Sequence, residues 1–416
     1  MRILTTLLVL PMLTVYAGRA VPRGQLKAAH ASATADVDTT VSVRWNRLVP
    51  TIVDEATARR RAARAAAKAA GDSAALRRLA QNQLPILFRV YTVLSVAQYG
   101  AVSSARDNRA VSSNAAVASA SAAVLTELFT DSAVRASIAR ELARDIEQAR
   151  KGSRGAERAT AGRNLGEDVA RRVIAWAPPP GNFAAPWNGT IPKGPGMWYS
   201  APGIPPIGIL LTKSRPWLLD SVSQFRPAAP PAYGSPAHQA ALEEVRRVAR
   251  ERTPEQTKLA QKWNALDPWA PWNETASAAL IRHHSSDAEA ARVFAVLNAA
   301  SSDAVIACFD AKYYYWTIRP SQADTTLVLA DSVDLPNFPS YPSGHACSAG
   351  AFDAVLGHYF PQDRAEFTRI AEEQAMSRLY GGIHYRFDNE VGLRIGRAIG
   401  ALATHSKAFD HEQSDD

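Results

Sequence analysis

The chain has 416 residues, and 47% of them are hydrophobic, so it can bury a large core. Its net charge of +8 would suit nucleic acid, anionic lipid or an anionic small substrate, but no segment resembles a nucleic-acid-binding motif. The two cysteines, Cys308 and Cys347, are too few for a fold held together by disulfides, and each lies in a predicted apolar helix. We expect both to be buried, inert thiols.

The N-terminus has the pattern of a secretory signal peptide. A basic start leads into an apolar run from Ile3 to Ala17, and the small residues that follow suit cleavage after Ala17 or Ala20. The run is shorter than the roughly 20 residues that a membrane-spanning helix needs. We therefore predict a signal peptide over 1–20, a secreted or periplasmic protein, and no stable membrane span after cleavage.

Helical periodicity dominates the first half of the mature chain, and few segments alternate as strands should. The alanine-rich apolar pattern predicts helices near Thr51 to Ala70, Leu84 to Tyr99, Asn114 to Phe129, Asp131 to Arg150 and Leu165 to Trp176. The fold class predicted from this pattern is all-α.

Between Pro178 and Pro236 the composition changes, because this segment holds more than half of the 26 prolines. A disordered linker is one interpretation, but such linkers are poor in tryptophan. The segment carries aromatic residues that have reason to pack: Trp187, Trp198, Trp217 and Phe225. We predict a long ordered connection over a single helical domain, 21–405, which is followed by a disordered acidic tail, 406–416.

The residues with chemical potential concentrate in the last third of the chain. Apolar positions between Ala288 and Ile318 follow helical spacing, and Pro320 is expected to end that helix. Lys312 and Arg319 are seven residues apart, so on one continuous helix they would share a face about 10 Å apart. Two converging cations indicate a bound anion.

The stretch "FPSYPSGHACSAG" predicts a helix N-terminus that faces a ligand. Ser343 has the character of an N-cap, and Gly344 carries no side chain where a ligand must approach. The free backbone N–H groups and the positive end of the helix dipole suit an oxyanion. His345 could exchange a proton with that ligand or merely satisfy the helix end.

A third cluster lies in "SRLYGGIHYRFD". Arg378 is predicted to end a helix, and the double glycine after it is a turn signal that could bring His384 to the same pocket. Asp388 could hold the second ring nitrogen of His384, or it could cap the last helix, which is predicted to begin near Asn389.

These residues carry a resemblance to a known family. K-x6-RP (from Lys312), PSGH (Pro342 to His345) and SR-x5-H-x3-D (Ser377 to Asp388) look like the three-part signature of the type 2 phosphatidic acid phosphatase and vanadium-dependent haloperoxidase superfamily, with the motifs inside 305–400. Segments such as "YTVLSVAQYGAV" and "GPGMWYSAPG" resemble the long bacterial haloperoxidase-related branch. The resemblance implies an all-α domain built around a helical bundle.

It also implies roles for individual residues. His384 would approach the central atom of a bound oxyanion axially, His345 would act opposite it as acid and base, and Asp388 would join them as a catalytic residue. No metal cation site is implied. The oxyanion, vanadate or phosphate, would be held by Lys312, Arg319, Ser343, Gly344 and Arg378.

Two chemistries suit such a pocket. With vanadate as cofactor, His384 would be the axial vanadium ligand, and hydrogen peroxide would oxidise a halide. With a phosphate ester and no cofactor, His384 would form a phosphohistidine and the enzyme would be an acid phosphatase. A degenerate pocket on a partner-binding domain is a third interpretation, but burying cations without an anion is costly.

Two aromatic residues near the motifs indicate which halide would be oxidised. Members of the family that oxidise chloride carry a tryptophan three residues before the lysine, where this chain has Phe309, while the aromatic before PSGH is kept as Phe338. We therefore expect bromide or iodide as substrate. The expected partners are small molecules and not nucleic acid, and a homodimer is left open.

Overall fold

The computed structural model describes residues 39–81, 86–177, 187–200, 204–265 and 267–409. The predicted signal peptide and residues 410–416 of the predicted tail lie outside the described residues. Within the described ranges there are fourteen α-helices and no β-strand, so the all-α prediction is confirmed. They are α1 (Val41–Ala69), α2 (Ser73–Gln81), α3 (Leu87–Ala105), α4 (Ser113–Leu128), α5 (Ser132–Ala149), α6 (Gly155–Trp176), α7 (Pro236–Glu251), α8 (Pro254–Ala265), α9 (Trp269–Arg282), α10 (Asp287–Tyr315), α11 (Pro320–Ala323), α12 (Gly344–Tyr359), α13 (Arg364–Tyr380) and α14 (Arg386–Thr404).

Two helices begin well before their predicted starts. Helix α1 runs through Pro50 instead of starting after it, because Trp45 and Val49 on its early turns are buried in the core. The early turns of α6 bury Ala159 and Gly162, which are too small to give an apolar period in the sequence. In both helices tertiary burial outweighs the local pattern.

Helix α10 forms the centre of the fold. Its residues are buried from Ala290 almost continuously to Tyr313, on every face of the helix. Among the described helices it alone is long and apolar enough to cross a bilayer, with a mean hydropathy of 1.4, yet that window is wholly buried inside the protein. A helix that is apolar all round and covered by other helices is typical of a large core.

Helices α12 and α14 pack side by side in parallel, and glycines allow the close approach. A Cβ at Gly396 would lie 2.1 Å from the carbonyl oxygen of Cys347, and a Cβ at Gly350 would lie 2.3 Å from that of Leu393. The Ser343 backbone N–H donates to the carbonyl of Asp388 at 3.0 Å. The N-termini of both helices therefore meet at one place.

The described part of the Pro-rich connection is ordered and attached to α10. The Asp303 carboxylate accepts hydrogen bonds from three consecutive backbone N–H groups, those of Trp217 and Leu218 at 2.7 Å and of Leu219 at 3.1 Å. Two turns further along α10, Asp310 forms a bidentate ion pair with Arg226 at 2.7 and 2.9 Å. These contacts hold the connection across the central helix.

Candidate active site

Arg319 reaches the predicted site by a different route from the one the sequence suggested. Helix α10 ends at Tyr315, and Trp316 takes a left-handed conformation with φ of 50°, so Lys312 and Arg319 do not share a helix face. That prediction was wrong because the helix ends at Tyr315, before Pro320 can end it. Arg319 is instead held by its own donors, Nε to the Phe338 carbonyl at 2.9 Å and Nη1 to the Ile383 carbonyl at 2.7 Å.

Lys312 is fully buried and supports the loop before α12. Its ammonium donates to the carbonyl oxygens of Pro339 at 2.9 Å, Ser340 at 2.7 Å and Pro342. An ammonium has three protons, so these carbonyls use all of them. Burial lowers the pKa of Lys312 to about 8. In this structure Lys312 therefore holds residues 339–342 and adds positive charge to the site, with no proton left for an oxyanion.

Ser343 and Gly344 form an open helix N-terminus. Ser343 occupies the N-cap position of α12 as predicted, but its side chain makes no cap hydrogen bond. Its Oγ is buried and lacks a hydrogen-bond partner among the described residues. A Cβ at Gly344 would have nothing within 4 Å. An orphaned donor beside empty space is the pattern expected where a ligand approaches the helix dipole.

His345 lies in the first turn of α12 and is oriented by α8. Its Nε2 lies 3.0 Å from the carbonyl of Trp263, which can only accept, so Nε2 carries the proton and Nδ1 is left to exchange one. Burial lowers the pKa of His345 well below its usual value, and the charge of Arg378 lowers it further. The imidazole is therefore neutral near pH 7.

His384 is the second neutral histidine of the cluster. Its Nδ1 donates to the Asp388 carboxylate at 2.8 Å, which leaves the lone pair on Nε2. Nε2 lies 3.4 Å from Nη1 of Arg319, among the cations. Burial lowers the pKa of His384 well below its usual value, and the positive charge of Arg319 lowers it further. A neutral imidazole with a fixed tautomer can act as a ligand or a nucleophile.

Asp388 serves both roles that the sequence left open. The oxygen that accepts from His384 also accepts from the Tyr385 backbone N–H at 3.1 Å, at the start of α14, which begins at Arg386 and not near Asn389. It further accepts from Ser340 Oγ at 2.6 Å. Burial raises the pKa of Asp388 to about 6, although the hydrogen bond from Ser340 acts to lower it.

Helix α8 contributes contacts that the sequence did not indicate. Arg378, which is 2% exposed, donates through Nη2 to Asn264 Oδ1 at 3.2 Å. Asn264 in turn donates to the carbonyl of Ser332 at 3.0 Å, which fixes its amide. Together with the Trp263 carbonyl on His345, the end of α8 thus orients two site residues. No sequence motif marks this role, because the partners are 82 and 114 residues apart.

The pocket aromatics lie between α10 and the loop before α12. The Phe309 and Phe338 rings are 5.2 Å apart, and the cations of Lys312 and Arg319 lie 5.1 and 4.9 Å from the Phe338 ring centre. A Cβ at Gly208 would lie 2.3 Å from the Phe309 ring, so only glycine leaves room for it. One wall of the site is therefore apolar.

The two cysteines are free and buried, in agreement with the expectation. Cys308 donates its thiol to the Pro342 carbonyl at 3.5 Å. Burial raises the pKa of Cys347 well above its usual value, and the neighbouring Cys308 adds to this effect.

The geometry defines a class of site. The site has an excess of positive charge. It combines three buried cations, Lys312, Arg319 and Arg378, and the N-termini of α12 and α14 with one buried carboxylate, Asp388. The neutral histidines His345 and His384 each have a ring nitrogen that can accept a proton or form a bond to a ligand. Such a site suits a tetrahedral or trigonal-bipyramidal oxyanion. The fold and site are those of an all-α enzyme scaffold for oxyanion chemistry.

Comparisons with known proteins agree with this class. Residues 282–411 match the family model described as the PAP2 superfamily. A crystal structure of a bacterial vanadium-dependent iodoperoxidase superposes with a TM-score of 0.65 and 25% identity, covering 77% of this chain and 91% of that one. A bacterial vanadium-dependent chloroperoxidase shares the fold, with a TM-score of 0.63 at 14% identity over 77% of this chain and 93% of that one. Residues 282–411 thus match the PAP2 superfamily, and the fold over 77% of the chain is similar to that of bacterial vanadium haloperoxidases.

Sequence relatives cover shorter stretches. The vanadium-dependent bromoperoxidase of Ascophyllum nodosum is 32% identical over 101 residues, which cover 17% of this chain and 18% of that protein. The lipid A 1-phosphatase of Rhizobium etli is 41% identical over 59 residues, which cover 14% of this chain and 25% of that protein. This chain thus matches a quarter or less of the length of each relative.

Proposed function

We propose that this protein is a vanadate-dependent haloperoxidase that oxidises bromide or iodide with hydrogen peroxide. The observation that carries the proposal is His384, a buried neutral imidazole whose Nδ1–H is held by Asp388 and whose Nε2 lies among the site cations. Metal-ligating histidines typically donate their other ring N–H to a carboxylate in this way. The likeness to a bacterial iodoperoxidase over 77% of the chain supports the same choice.

The residues present fit vanadate. Arg319 and Arg378 supply guanidinium groups, and Ser343 Oγ, orphaned among the described residues, can donate to an oxygen of the anion. The open space at Gly344 exposes the N-terminus of α12 to the same anion. Bound vanadate would supply a Lewis-acidic centre that activates hydrogen peroxide toward a halide.

His345 is suited to move the proton in this reaction. Its Nε2–H is occupied by the Trp263 carbonyl, so Nδ1 takes and returns the proton. Burial holds the pKa of His345 low, and the charges of Arg378, Lys312 and Arg319 lower it further. Binding of an anion offsets those charges and raises the pKa toward neutrality, which is where an acid and base works best. His345 would thus become competent when the site is filled.

The apolar wall favours bromide and iodide over chloride. Phe309 is 4% exposed and presents a ring without an N–H donor to the pocket. A small halide that holds water tightly needs a hydrogen-bond donor in exchange for its lost hydration, whereas bromide and iodide are less strongly hydrated. Easier oxidation of the larger halides acts in the same direction.

A phosphatase is the second candidate, and the match to lipid A 1-phosphatase at 41% identity over 59 residues favours it. In that reaction Nε2 of His384 would attack phosphorus, and the ester oxygen would leave with a proton from Nδ1 of His345, which must first be protonated. His345 would then take a proton from water as the water oxygen bonds to phosphorus and the bond from phosphorus to His384 Nε2 breaks. The two reactions use the same side chains, so a direct assay must separate them.

The experiment divides purified protein between two assays. One supplies vanadate, hydrogen peroxide and bromide and follows bromination of a phenolic dye; the other supplies p-nitrophenyl phosphate at mildly acid pH without vanadate. We expect vanadate-dependent bromination, weak turnover of chloride, loss of activity in His384→Ala, and full activity in His358→Ala, which alters an exposed histidine of α12. Strong phosphate release with no vanadate-dependent bromination would establish the phosphatase instead.

A further inference from the structure

A cavity lies outside the oxyanion site, between the end of α10 and the Pro-rich connection. Its volume is about 250 Å³, and its walls include Trp187, Lys213, Arg226, Tyr313 and Trp316. An apolar cavity of about 150 Å³ holds benzene, so this one has room for a single aromatic ring with a short polar substituent.

The cavity walls are aromatic and fixed in place. The Trp187 and Trp316 rings are 6.0 Å apart and tilted by 35°, and Tyr313 meets Trp316 edge to face at 5.0 Å. Trp316 holds its left-handed backbone through two hydrogen bonds, from its N–H to the Lys312 carbonyl and from the Trp198 N–H to its own carbonyl. A bulky residue in that conformation is uncommon and marks a position set by its surroundings.

The cavity carries one uncompensated positive charge. Arg226 and Asp310 neutralise each other through their bidentate pair. Lys213 at the rim is exposed and forms no hydrogen bond or ion pair with any residue in the described ranges. A ligand with one negative charge and an aromatic ring would match the lysine and the indole walls together.

The cavity is separate from the oxyanion site. Tyr313 is 6.3 Å from Phe309, whose ring in turn packs on Phe338 beside the cations of the site. Two aromatic side chains thus lie between the cavity and the cationic cluster. Occupation of one site does not exclude occupation of the other.

We propose that this cavity binds a small aromatic carboxylate, with the ring packed against Trp187 and Trp316 and the carboxylate at Lys213. The inference goes beyond the proposed function, because it holds for either reaction.

Isothermal titration of the full chain with 4-hydroxyphenylacetate, in saturating phosphate, tests the proposal. The neutral 4-hydroxyphenylacetamide is the matched ligand. Lys213→Met should weaken the acid about fivefold and leave the amide unchanged, as expected for one exposed charge pair. Trp187→Ala should weaken both ligands about tenfold, because both stack on the indole. Lys258→Met, on exposed α8 surface, should change neither.

Three results would overturn the proposal. The first is wild-type protein that fails to bind the acid at millimolar concentration. The second is competition between phosphate and the acid, which would place the acid in the oxyanion site. The third is a Lys213→Met variant that binds the acid as tightly as wild type.

Discussion

Replacing Asp388 by asparagine tests whether its main role is to orient His384 for a coordinate bond. The carboxylate oxygen accepts from His384 Nδ1 at 2.8 Å, from Ser340 Oγ at 2.6 Å and from the Tyr385 N–H at 3.1 Å. Asparagine keeps the shape but loses the charge. Two effects of opposite sign are therefore expected on oxyanion binding.

The charge effect is common to every oxyanion. The Asp388 carboxylate lies 2.8 Å from Nδ1 of His384, so it is roughly 7 Å from an anion bound at Nε2 on the other side of the ring. At that distance two unit charges repel each other by about 2 kcal/mol at an effective dielectric constant near 20. Its removal should tighten phosphate and vanadate alike. The orienting effect concerns vanadate alone, because only vanadate would bond to Nε2, and loss of such a supporting carboxylate typically costs about 10–100-fold in metal affinity.

The expected result is a fall of about 10–100-fold in the preference for vanadate over phosphate, with phosphate itself bound at least as tightly as by wild type. Titration calorimetry at pH 8 with micromolar orthovanadate and with phosphate measures both, since Asp388, with a pKa of about 6, is ionised there. Asp353→Asn is the matched control, because Asp353 is also buried, at 4% exposed, but lies away from the N-terminus of α12 and is paired with Arg397 of α14. An equal change for both oxyanions would refute the orienting role and leave Asp388 as a charge and a helix cap.

Three further outcomes follow from the contacts. Arg378→Ala should weaken the binding of vanadate and of phosphate alike by about 1.5–3 kcal/mol, because charged hydrogen bonds are lost. Arg172→Ala, which alters an exposed arginine, should leave both affinities unchanged. Calorimetry that shows no loss of affinity in Arg378→Ala would contradict the pocket assignment. Burial raises the pKa of Asp303 to about 6, so the folded chain keeps a proton that the unfolded chain releases, and the free energy of unfolding should fall as pH rises from about 4 to 6. Asp303→Asn should remove that part of the slope in denaturant titrations, and an unchanged slope would argue against it. Gly396→Ala should lower the free energy of unfolding by about 1–3 kcal/mol, because its Cβ would lie 2.1 Å from the Cys347 carbonyl oxygen, and a neutral result would contradict the tight contact of α12 with α14.

Several features of the site could be predicted from short stretches of sequence. The apolar period placed α10, and the double glycine placed the turn before His384, where Gly382 has φ of 77°. The Ser-Gly-His sequence placed the N-terminus of α12 at Gly344. These features depend on backbone hydrogen bonding and side-chain period within a few residues, which sequence encodes directly.

Other features were decided by packing. The sequence could not predict that α10 ends at Tyr315, because the left-handed Trp316 depends on contacts with Trp187 and Trp198 from the distant connection. Nor could it predict that the protons of Lys312 are used by carbonyls of the 339–342 segment, since that depends on how closely the loop approaches α10.

The sequence by itself determined the all-α class and the resemblance of residues 282–411 to the PAP2 superfamily, because motif order and helical period are local properties of the chain. Only the tertiary structure decided how those residues are used. It assigned Asp388 to both His384 and the start of α14, and it brought Trp263 and Asn264 of α8 to His345 and Arg378. Contacts between residues so far apart in the chain arise from the packing of whole helices, and no local pattern specifies them.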